Sequence, residues 1–173
     1  MPTYDFTFVV DADPYADDFE DRFIETGCDD ATFVLRRGAA AICFDRTANS
    51  YKEAVLSAYR NIKDAGSNIL RFEPDFLVSQ NEISERAHLS RSAVGLFKKG
   101  ERREGFPLPV AKISSPRPLW DWVAVSQWLV ANGKLDESEY RHALISRTIN
   151  VDAQIRLVTP DHEFDVEAVL ANV

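Results

Sequence analysis

Apolar and polar positions alternate in two different periods along the first 75 residues. The run "YDFTFVV", which starts at Tyr4, is rich in β-formers with partial alternation and predicts a strand. In "DPYADDFEDRFIETGC" the apolar Tyr15, Phe19, Phe23 and Ile24 fall at helical spacing, with Pro14 near the start and Gly27 near the end. "ATFVLRR" and "AAAICFDR", on either side of Gly38, predict a hairpin. The strongest helical signal is "SYKEAVLSAYRNIKDAG". Ser50 stands at its N-cap, Glu53 sits three residues on as in a capping box, and Gly66 closes it. Tyr51, Ala54, Val55, Ala58, Tyr59 and Ile62 form its apolar stripe. "NILRFEP" predicts a last strand.

The order βαββαβ is that of a ferredoxin-like α+β sandwich. A four-stranded sheet with two helices on one face leaves its other face free to pair or bind. Pro74 and Asp75 mark a boundary. Beyond it, Ser79 caps a short helix "QNEISERA" with Glu82 three residues on, "HLS" makes a turn, and Ser90 caps "RSAVGLFKKG", which ends on Gly100. Two helices joined by about three residues follow the helix-turn-helix plan. Ile83, Ala87, Val94 and Phe97 face inward, Leu89 plugs the turn, and Ser84 is small where the helices cross. Prolines 107, 109, 116 and 118 exclude an interior strand or helix and suit a hairpin wing with stiff shoulders. A third helix follows. From Asp136, a plausible N-cap, the pattern is helical up to Pro160, and "DHEFDVEAVLANV" predicts a last short helix. The expected fold class is α+β. It comprises a ferredoxin-like domain over 1–75 for dimerisation or for sensing a ligand or partner, a winged helix-turn-helix over 76–133, and a helical extension over 134–173.

Charge changes the picture. The chain carries a net −8, yet residues 86–117 hold eight bases against two acids, and the segments on either side are acidic. Phosphate attraction is screened over about 8 Å at physiological salt, so this local excess matters more than the average. Ser90, Arg91, Ser92, Gly95, Lys98 and Lys99 lie off the core side of the second helix. In a helix-turn-helix the start of that helix reaches base edges, and Arg91 can bond guanine O6 and N7 together. Ser92 is small enough for close approach, while Lys98, Lys99, Arg102 and Arg103 suit phosphates.

The phrases "VSQNEISERAHLSRSAVGLFKKG", "GFPLPV" and "PLWDWVAVSQWLVANG" resemble the winged helix-turn-helix of the MerR superfamily, in its excisionase-like, AlpA-type branch. Phe106, Pro107, Pro109 and Val110 match the phrase that begins the wing. Trp120 matches the returning strand, and Trp128 with Leu129 the helix behind. The resemblance implies a sequence-specific transcriptional regulator that binds double-stranded DNA, with Lys112 and Arg117 on the wing offered to phosphates, and a homodimer is expected because one short unit contacts few base pairs. His88 departs from it, standing in a turn where glycine is common. Gly95 and Leu96 stand where polar base-reading residues are frequent, and Glu104 follows Arg103. The helix "SYKEAVLSAYRNIKDAG" is similar to that of HicB-type antitoxins, which implies a protein partner held by the acidic first domain.

Other chemistry weighs little. Asp11, Asp13, Asp17 and Asp18 lack the Gly and terminal Glu of a calcium loop and suit capping and surface. Cys28 and Cys43 read as small core residues, with no disulfide framework or zinc spacing. His88, His142 and His162 show no ligand spacing, and Trp120, Trp122 and Trp128 read as core. There is no nucleophile elbow and no phosphate-cradling glycine loop, so neither enzyme nor cofactor is expected. No apolar run is long enough to span a membrane and no signal peptide is visible, which points to a cytoplasmic, reducing compartment.

Overall fold

The computed structural model describes all residues from Met1 to Val173. It is a mixed α+β chain with two compact units. One comprises Met1–Pro74 with Thr148–Val173, the other Asp75–Arg147.

The first unit runs β1 (Thr3–Val10), α1 (Phe19–Glu25), β2 (Ala31–Arg36), β3 (Ala39–Thr47), α2 (Tyr51–Asp64) and β4 (Ile69–Glu73). The sheet order is β2-β3-β1-β4, and every neighbouring pair is antiparallel. Alternation on β1 buries Phe6, Phe8 and Val10 and leaves Thr7 and Val9 half-exposed. Phe6 pairs with Phe44 and Phe8 with both Ile42 and Phe72, so one sheet face is a layer of aromatic rings. Phe19, Phe23 and Tyr51 from the helices pack into this layer. The β2–β3 turn needs only Arg37 and Gly38, both at positive φ (52° and 86°). That backbone matches strand twist, which is how one glycine suffices for the hairpin.

The helix α1 is shorter than the spacing of Tyr15 predicts. The Asp13 carboxylate accepts from the Tyr15 N–H at 2.9 Å, so the segment turns locally instead of joining the helix. Tyr15 is left 78% exposed, off the apolar stripe. Asp11 is also occupied, accepting from the Asn68 N–H and side-chain amide, both at 2.8 Å.

Arg46 is the most enclosed cation of this unit. It is 8% exposed and lies 4.8 Å from the centroid of the Phe44 ring. Its guanidinium donates to both oxygens of Asp30 at 2.8 Å, to Asn61 at 2.8 Å, to Ser57 at 3.1 Å and to the Gly27 carbonyl at 2.6 Å. The network ties β3 to α2 and to the turn after α1. Beside it, burial pushes the Cys28 thiol up to about 11, against the lowering influence of Arg46.

Residues 134–173, expected as a separate extension, are instead divided between the units. The helix α6 (Glu137–Val158) gives Ala143 to the core of the second unit, and Ile149, Asn150 and Ala153 are buried in its later half. Periodicity along one helix does not reveal that its two halves serve different cores. Asn150 is fully buried. Its side-chain oxygen accepts from the Phe72 N–H at 2.8 Å and its amide donates to the Phe72 carbonyl at 2.9 Å. It thus satisfies the outward backbone groups of edge strand β4 as a neighbouring strand would. The last helix, α7 (Val166–Leu170), buries Val166 and Leu170, and Glu167 is paired with Arg60 of α2.

The second unit contains β5 (Leu77–Val78), α3 (Gln80–Arg86), α4 (Arg91–Lys98), β6 (Trp120–Asp121) and α5 (Trp122–Ala131), with the start of α6. Ser79 and Glu82 form a complete capping box on α3, and the Ser90 hydroxyl accepts from the Ala93 N–H to cap α4. Between the helices His88 takes φ 52°, a left-handed position that glycine usually fills. The Ser84 hydroxyl, buried at the crossing, donates to the Leu89 carbonyl. Val78, Ile83, Val94, Phe97, Trp120, Trp122 and Leu129 share one core.

The segment from Pro107 to Pro118 is not a two-stranded hairpin. It pairs through one bridge, Ala111 with Leu119, while the short ladder forms between β5 and β6. Four prolines remove the donors a longer ladder needs. The segment is pinned by indoles instead: the Trp120 N–H donates to the Pro107 carbonyl at 3.1 Å and the Trp128 N–H to the Glu104 carbonyl at 3.2 Å. Phe106 packs against both Phe97 and Trp128, which also touch each other. No helix is long and apolar enough to cross a membrane.

Candidate nucleic-acid interface

The helix α4 is built from its ends inward. Ser90 fixes its start, and Ala93, Val94 and Phe97 bury one side. Helical periodicity then leaves Arg91, Ser92, Lys98 and Lys99 exposed. The Ser90 side chain, expected at the interface, is exposed but engaged as the cap.

The structure gathers four of the expected cations. Arg91 and Lys98 of α4, with Lys112 and Arg117 of the proline-rich segment, line one groove of about 540 Å³. Its wall includes Trp120 and the start of α3, with Ser79, Gln80 and Asn81. Lys98 is fixed in place: its ammonium donates to Gln80 Oε1 at 2.8 Å and lies 4.7 Å from the Trp120 ring centroid. Gln80 in turn donates to the Arg91 carbonyl at 3.3 Å. Lys112 is held at φ 51°, at the turn that brings the segment back toward Leu119. A cleft carrying four positive charges over an aromatic floor can receive a run of anionic groups.

The remaining expected residues do not line this groove. Ser92 is exposed on α4, and Lys99 lies 3.9 Å from Glu101 on the helix's far end. Arg102 is exposed in the loop that follows. Arg103 turns away and donates to the Asn132 side chain at 2.8 Å and its carbonyl at 3.4 Å, where it braces the end of α5.

Gln80 and Asn81 are contributors that sequence reasoning misses. Two polar residues directly after a helix cap look like ordinary first-turn residues. Only the crossing of α3 over α4 brings them beside Arg91. Asn81 donates to Glu85 at 2.6 Å, and its Oδ1 is buried without a partner. Exposed apolar side chains were also not anticipated: Leu108, Val110 and Ile113 on the proline-rich segment are 83%, 55% and 69% exposed.

The first unit carries charge of the opposite sign. On the sheet face away from the aromatic layer, Asp5 stands directly across from Asp45, and both line a shallow recess of about 390 Å³ with Glu73. Like charges in that relation repel. A second recess, about 650 Å³, lies beside α2 and α7. There burial, and then the charge of Asp152, raise the Tyr59 phenol above its ordinary value. No protein family, curated protein or solved structure matches the chain.

Proposed function

We propose that the chain is a sequence-specific DNA-binding transcriptional regulator acting through a winged helix-turn-helix, with α3 and α4 as the helix pair and residues 105–119 as a wing. The observation that carries this reading is the convergence of Arg91, Lys98, Lys112 and Arg117 on one groove beside the exposed side of α4. The start of α4 would enter the major groove, and the wing would follow the adjacent backbone. Arg91 would read a guanine edge, and Lys112 and Arg117 would hold phosphates. Leu108, Val110 and Ile113 would lie against sugar edges, as apolar wing residues can. The βαββαβ unit, which we assign to the ferredoxin-like class from its strand order, would dimerise the protein and so join two half-sites.

Selection of binding sites from random duplexes, followed by gel shift at two salt concentrations, tests this. Tight binding that weakens with salt is expected. Failure to enrich any sequence would refute the reading.

A second reading has its own observation. The Asp5–Asp45 pair with Glu73 on the free sheet face suits a basic protein partner, as in a HicB-like antitoxin or an adaptor that also regulates its operon. Co-purification of a small basic protein on this face, abolished by Asp5→Asn with Asp45→Asn, would favour it.

A further inference from the structure

Gly95 stands in the middle of α4, an eight-residue helix. Glycine is the poorest helix former after proline, so its place there calls for a reason. Two reasons are usual, and neither applies. Six other glycines of the chain hold positive φ, but Gly95 does not. Nor does another part of the molecule press on it: an added Cβ would meet only the amide end of Gln80, at an ordinary 3.8 Å. A methyl group fits in the molecule as it stands.

Nothing inside the chain therefore requires a glycine at this position. With Ala93, Val94 and Phe97 turned to the core, helical periodicity puts Gly95 on the side away from them, half-exposed near the Gln80 amide and next to the exposed Ser92 and Lys99. It is flanked there by Arg91 and Lys98, which line the cationic groove. We propose that Gly95 is the point of closest approach between α4 and duplex DNA. Its missing side chain lets a base edge in the major groove lie against the helix backbone. This inference rests on the DNA-binding reading above and adds to it a specificity-determining residue. The helix gives up intrinsic stability for fit, so the two quantities should move in opposite directions when the gap is filled.

The test is Gly95→Ala in the full chain, with thermal unfolding and gel shift measured on the same preparations. The probes are the duplex selected by the native protein and an unrelated duplex of equal length. Gly95→Ala should raise Tm by about 2–4 °C. It should weaken the selected duplex about tenfold, as expected of overpacking a close contact, and change binding to the unrelated duplex far less. A variant that binds the selected duplex as the native protein does would overturn the proposal and leave the DNA reading intact. A lowered Tm would overturn it as well, because glycine would then serve the fold. Comparing the double variant Gly95→Ala, Gln80→Ala with Gln80→Ala alone covers the remaining internal explanation: if Gly95→Ala costs no binding once Gln80 is gone, crowding inside the molecule was the cause and the proposal fails. Should the native protein bind no duplex, the reading and this inference fall together.

Discussion

Arg46 and Arg91 place the same side chain in opposite settings. Arg46 is enclosed in the first unit and donates to Asp30, Asn61, Ser57 and the Gly27 carbonyl. Arg91 is exposed on the first turn of α4 in the second unit, where Lys98, Lys112 and Arg117 share its groove and no carboxylate lines it. A guanidinium taken from water must be matched by acceptors or it destabilises the fold. Arg46 is fully matched, and its role is finished within the molecule. The groove of the second unit gathers four like charges with no carboxylate among them, so water and counterions, rather than the fold, neutralise them. The number of acceptors around a cation, rather than its residue type, separates a charge used within the fold from one left to solvent.

The largest expected effect tests the first half of that contrast. Arg46→Met should cost about 3 kcal/mol of stability in urea denaturation, because it strands Asp30 and frees the polar groups of α2. Arg91→Ala should change stability by no more than about 0.5 kcal/mol. Equal losses would erase the distinction. Next comes the β4 edge: Asn150→Ala should cost about 2 kcal/mol, as it leaves a buried N–H and C=O without partners. Wild-type stability in that variant would mean that water replaces the amide.

The binding half of the contrast predicts smaller changes. Arg91→Ala should lose about 1–3 kcal/mol on the selected duplex and relax sequence preference, whereas Lys112→Ala should weaken all duplexes alike and reduce the salt slope by about 1. Reversed roles in gel shifts would move the base reader from α4 to the wing. The smallest effect concerns pH. The His142 ring, whose Nδ1 lies 3.7 Å from Glu139 Oε1, is the main influence holding the Glu139 carboxyl below its ordinary range. The native state thus favours the carboxylate, and its contribution is present above the unfolded pKa and lost as pH falls through the folded one. Glu139→Gln should flatten the fall of the urea midpoint in acid by a small margin; an unchanged slope would show the pair to be without weight.

Legibility in the sequence followed the range of the interaction. Ser50, Ser79 and Ser90 announce three helix starts because each cap acts within three residues of itself. The alternation of Phe6, Phe8 and Val10 likewise identifies the buried face of β1. The late start of α1 was hidden, since a single Asp13 hydrogen bond outweighs an apolar spacing. The groove was half visible: the charges could be counted, but the indoles that pin the proline-rich segment and the reach of Gln80 to Lys98 are contacts between residues far apart in sequence. Nor could spacing show that Arg103 would brace α5 instead of joining the other cations.

A planar carboxamide on a helix can stand in for a neighbouring strand at one residue of a sheet edge. Because Asn150 occupies both outward valences of Phe72, the sheet has one blocked margin and one free margin, at Ala31–Arg36. Any strand added beside β4 would have to displace Asn150 from Phe72, whereas no side chain holds the backbone of β2 in that way.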